Sequence, residues 1–161
     1  MRRIAFAGMI LLGLAWNCQA APLAPTTASD VVSLQGFGNN PTGCNPFDVR
    51  ITSDGLTQAF EIPAGYVLVV TGIQWFVAGT ASKVLRFQLN VDGGAAFFSG
   101  GSLADADGQS AGSALIPQHA VRAGRTICAK LFPGTDDFIG NLHGFLARDG
   151  DASLGAVPMK N

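Results

Sequence analysis

Between Ile62 and Val77 the chain reads IPAGYVLVVTGIQWFV, a stretch of β-branched and aromatic residues that begins at a Pro-Ala-Gly turn. Successive side chains of a strand point to opposite faces. Regular alternation puts Val67, Val69, Thr71, Ile73, Trp75 and Val77 on one face and Tyr66, Leu68, Val70, Gly72, Gln74 and Phe76 on the other. The first set reads as a sandwich core face. The second would be polar if it met water, yet Tyr66, Leu68, Val70 and Phe76 are apolar or aromatic. Three covers fit: an N-terminal arm crossing the sheet, a neighbouring subunit, or a bound ligand. Tyr66, Leu68, Val70 and Phe76 are therefore the candidate interface residues.

The rest of the chain constrains the fold in the same direction. Short apolar or alternating runs (VVSLQGF, FDVRIT, TQAFEI, KVLRFQLNV, AAFFS, SALIP, RTICAKLF, DFIGNLHGFLAR) are separated by turn-forming stretches such as GNNPTGCNP, SDG, DGG, GGSLADADGQSAG and PGTDD. No segment sustains a helical apolar period. Eight or nine strands predict an all-β fold, a two-sheet antiparallel β-sandwich of jelly-roll type. In KVLRFQLNV one face is mostly polar, so the doubly apolar region is local. Pro63-Ala64-Gly65 and Arg122-Ala123-Gly124 each precede a strand and predict matching Ala-Gly turns.

These features, an IPAG turn before a long apolar strand, a later Ala-Gly turn before a cysteine-bearing strand, and a final GFLA strand, span about Phe47 to Arg148. The arrangement resembles a broad set of exported bacterial jelly-roll domains of unassigned function. The resemblance implies a fold and no reaction.

Compartment is read from the N-terminus. Arg2 and Arg3, an apolar run from Ile4 to Trp16 and a small-residue site after Ala20 or Ala21 form a secretory signal, residues 1–21. The apolar run is shorter than the roughly 18 residues a membrane-spanning helix needs. Acylation of Cys18 is the alternative, but Trp16 and Asn17 are bulkier than a lipobox accepts. A Pro-, Ala- and Thr-rich extended arm, 22–30, would lead into one domain, 31–161. The exported chain is expected in the periplasm or outside the cell. Cleavage leaves Cys44 and Cys128, an even pair that predicts a disulfide in an oxidising compartment.

Without Arg2 and Arg3 there are 8 basic against 11 acidic residues, a net charge of −3, with no basic block. That excludes the electrostatic footprint of a nucleic-acid binder. GQSAG, Gly108 to Gly112, matches a nucleophile elbow, and Asp136 or Asp137 and His143 follow Ser110 in hydrolase order. The elbow needs a strand-to-helix turn, whereas Ser110 is flanked by an acidic loop and a strand. No catalytic residue is assigned.

Asp105 with Asp107, and Asp149 with Asp151, place carboxylates two apart near glycine, as calcium loops do, but neither supplies a full set of oxygens. His119 and His143 read as polar surface or edge residues. Trp75 and Tyr66 are the aromatic candidates for a glycan platform, and their place in the long strand favours packing instead. The reading is thus a non-catalytic, self-associating structural or adhesive module that needs no cofactor. Its partner would be a second copy or another envelope or extracellular protein. The alternative is a small-ligand or carbohydrate-binding module, with calcium as its one candidate ion.

Overall fold

Three fourteen-residue strands carry one sheet, and two of them form where the sequence is most continuously apolar or alternating. The computed structural model describes residues 24–25, 27–41 and 43–150. Its strands are β1 (Val31–Gly38), β2 (Asn45–Pro46), β3 (Val49–Ile51), β4 (Thr57–Ala59), β5 (Tyr66–Gly79), β6 (Val84–Val91), β7 (Ala96–Leu103), β8 (Gln109–Arg122), β9 (Ile127–Leu131) and β10 (Thr135–Arg148). They pair antiparallel in two sheets, ordered β4-β3-β1-β10-β5-β8 and β2-β9-β6-β7. This is the expected all-β, jelly-roll-like sandwich, with ten strands among the described residues rather than eight or nine. The additional one, β2, lies inside a stretch whose Gly, Asn and Pro content reads as turn. A 3₁₀ turn, Ala28–Asp30, ends the segment expected to be extended. The secretory signal lies outside the described residues.

The two Ala-Gly turns form as expected. Gly65 and Gly124 have φ of 79° and 76°, and the turns close with Tyr66 N donating to Pro63 O and Arg125 N to Arg122 O. Both sit at the same end of the sandwich, because β5 begins where β8 finishes, Val67 pairing with Arg122.

Regular alternation fails inside β5. In the β5–β10 ladder His143 pairs with Gly72 and Gly144 with Val70, so Thr71 is an extra, unpaired residue. This bulge flips the parity of everything before it. Leu68, Val70, Ile73 and Val77 consequently share the inner face and belong to one buried core, with Trp75 packed against it. Val67 and Val69 point outward and form a second small cluster with Phe145 and Ala147. The expected faces are thus exchanged before Thr71 and kept after it.

The main core is aromatic at its centre. Phe87 and Phe138 have ring centroids 4.8 Å apart, and Trp75 meets Phe87 edge-on at 5.3 Å. Room for these rings comes from glycines paired with them on the adjacent strands of the same sheets. A Cβ on Gly100 would overlap the Phe87 ring, and one on Gly112 the Trp75 indole. For this reason Gly100–Leu103 and Gln109–Gly112, which read as loop, are strand. Only residues 104–108 turn between β7 and β8.

Thr135 ties the sheets together. Its buried hydroxyl accepts from Arg86 N at 2.9 Å and donates to Arg86 O at 3.1 Å. In Thr135→Val that N–H loses its partner, while the carbonyl keeps the Phe132 N–H. Urea unfolding should show a loss of about 1–2 kcal/mol with an unchanged m-value.

Candidate functional site

The structure separates the residues proposed for the open face. Leu68 and Val70 are 2% and 1% exposed and lie in the main core, so they are not interface residues; the Thr71 bulge turns them inward. Tyr66 is half-buried at the start of β5. Phe76, past the bulge, is on the outer face and 38% exposed.

Cross-strand register shows what surrounds Phe76. Phe37 of β1 pairs with Ile139 of β10, Ile139 with Phe76, and Phe76 with Ala111 of β8, giving an apolar row across four strands. The next outward row, Gln35, Asn141, Gln74 and Ser113, is polar but uncharged. Beyond it come Ser33, His143, Gly72 and Leu115, and then Val31, Phe145, Val69 and Ala120. Val31, Phe37, Phe76, Leu115 and Ile139 are five of the eight exposed large hydrophobics among the described residues. All five are on this one face. Its Asp, Glu, Lys and Arg residues on these four strands are confined to the two ends, Asp137 level with Ala78 and Arg122 level with Val67.

The catalytic alternative has no geometry to support it. Ser110 pairs with the core residue Val77 and faces inward, its Oγ 2.6 Å from Ser102 Oγ. His143 lies on the opposite face, level with Gly72. Asp136 and Asp137 are exposed at the start of β10. His119 stacks its ring flat on Phe97, 4.1 Å between centroids, and burial lowers its pKa.

Of the acidic candidates, Asp105 and Asp149 are accounted for by local structure. Asp105 Oδ1 accepts the backbone N–H groups of Asp107 and Gln109, closing the β7–β8 turn. Asp149 faces Arg122 at 3.3 Å. Asp105 and Asp149 sit at opposite ends of β5, roughly 40 Å apart for a strand of this length. Asp151 lies outside the described residues. Among the described residues no group of three or more His, Cys, Asp or Glu is placed to hold a metal ion. Trp75 packs against Phe87 and Phe98 rather than forming an open platform.

Cys44 and Cys128 form the expected disulfide, with Cα atoms 5.0 Å apart. Sequence reasoning missed Val31, Phe37, Leu115 and Ile139. Each stands in an alternating run, and only the pairing of strands distant in sequence brings them beside Phe76.

No family model matches the chain, and no curated protein matches it. Among solved structures it is similar to the globular domain of zebrafish complement 1qA protein, at 13% sequence identity, over 74% of this chain and 99% of that one, with a TM-score of 0.45.

Proposed function

We propose that this chain is an exported, non-catalytic β-sandwich that works by assembly, associating with copies of itself through the outer face of β1, β10, β5 and β8. The observation that carries the reading is the collection of Val31, Phe37, Phe76, Leu115 and Ile139 on that single face. Apolar surface gathered in this way marks an interaction site, whereas scattered apolar residues do not. A second copy is the occupant the charge pattern favours. The chain is net acidic, so copies repel one another except across a surface free of charge, and the centre of this face is such a surface. Its uncharged Gln and Asn row can pair with the same row of another copy. The Cys44–Cys128 disulfide supports an oxidising location for the work, as the N-terminal signal does.

The test is the solution mass of the exported, disulfide-bonded protein, by light scattering after size-exclusion chromatography. The wild-type protein should run as an oligomer at high micromolar concentration. The double variant Phe76→Lys/Ile139→Lys should be a folded monomer with native amide dispersion and a thermal midpoint that no longer rises with protein concentration, its self-affinity weakened by about a hundredfold or more, as expected when charges are buried without partners. A monomeric wild-type protein would overturn the proposal. So would a double variant that still assembles.

A further inference from the structure

At the end of the sandwich that carries the two Ala-Gly turns, the sheets enclose a cavity of about 360 Å³. Leu34, Phe47, Leu68 and Ile127, all buried, line its interior. Asp48 and Glu61, the chain's single glutamate, stand at its mouth, and both are exposed. Neither carboxylate has an ion-pair or hydrogen-bond partner among the described residues.

The cation within the lining is engaged elsewhere. Arg125, also at the mouth, is held by Asp92 at 2.7 Å, and Asp92 also accepts the N–H of Thr126, which pins that wall. Arg50 donates to the carbonyls of Ser29 and Val31 and is not part of the lining. The mouth therefore keeps an uncompensated negative charge above an apolar chamber. The volume is within the range of small-molecule sites, roughly 300–1,000 Å³.

We propose that this cavity binds a small organic cation, an amine on an apolar aromatic or aliphatic body. The body would replace water against Leu34, Phe47, Leu68 and Ile127, and the ammonium would sit between Asp48 and Glu61. An anion would meet two carboxylates and, in the lining, no cation without a carboxylate partner of its own. A bare metal ion would find two carboxylates over an apolar floor, far from the six to eight oxygens that calcium takes. The site faces the sandwich interior and shares no residue with the outer apolar rows, so it is independent of self-association.

Amide NMR titration of the exported, disulfide-bonded protein tests it, with 2-phenylethylamine and hexylamine as probes and 3-phenylpropanoate as a control of similar shape and opposite charge. The amines should give saturable shifts at Gly124, Thr126 and Ile127, with the carboxylate about tenfold weaker or worse, since the sign of one charge decides the Coulomb contribution. Glu61→Gln and Asp48→Asn should each weaken the amines about three- to tenfold, and together they should erase the preference for the cation. Both positions are exposed, so the fold should survive. The monomeric outer-face variant should bind the amines as the wild-type protein does. The proposal is overturned if no amine gives saturable shifts at those amides, if the carboxylate binds as well, or if the preference survives the double substitution.

Discussion

Val70→Lys should leave no folded protein. Val70 is 1% exposed on the inner face of β5, between Gly144 of β10 and His119 of β8. Substitution removes about 1.5–3 kcal/mol of side-chain burial. It also places an ammonium among apolar neighbours, where an unpaired charge costs several kcal/mol more. The sum reaches the lower part of the whole stability of a domain, about 5–15 kcal/mol. The check is amide NMR dispersion and the recovery of soluble exported protein, with Phe76→Lys made in parallel. Phe76 lies in the same strand but on the outer face, so its variant should fold with native dispersion. A well-dispersed Val70→Lys spectrum would show that Val70 faces outward and that the parity change at Thr71 is wrong.

That pair of variants isolates what could and could not be read from the residues. Strand identity was legible wherever alternation met turn chemistry. Leu85, Phe87 and Leu89 of KVLRFQLNV are all fully buried, as their alternation requires, and Gly65 and Gly124 make the turns their neighbours imply. The bulge was not legible. A β-branched polar residue such as Thr71 fits a regular strand as well as a bulged one, and its Oγ1 finds the His143 carbonyl, 72 positions away, only after β10 has docked. The glycine-rich strand ends were misread for a related reason. Gly100 and Gly112 look like loop until Phe87 and Trp75 are seen to need the space above them. Phe76 was legible as a candidate surface residue from one strand. Phe37, Ile139 and Leu115 belong with it through register alone, and register between distant segments is a property of the assembled sheet.

Removing the Cys44–Cys128 bond should cost about 4.5 kcal/mol, the chain-entropy value for a loop of this size. The bond spans 84 positions, and the enclosed segment contains β2 to β8 in full. Without it the unfolded chain regains the freedom to separate these strands from β9. The native state has a partial substitute. Asn45, beside Cys44, is buried and donates from Nδ2 to Ala129 O at 2.9 Å and Asn40 O at 3.1 Å, and its Oδ1 accepts Asn40 N. Two residues on, Phe47 N donates to Ile127 O and the Phe47 ring packs on Phe138. These contacts can hold β2 against β9 once the bond is gone, so the double variant Cys44→Ala/Cys128→Ala should still fold, with a large drop in its urea midpoint. Hydrogen exchange separates the two ways the loss can appear. If the entropic account holds, protection falls by a similar factor across Leu85–Leu89 and Phe138–Leu142, which open only with the whole domain. If protection falls only between Asn45 and Phe47 and the global stability changes by less than about 1 kcal/mol, the bond is a local clasp on β2 and the chain-entropy account fails for this protein.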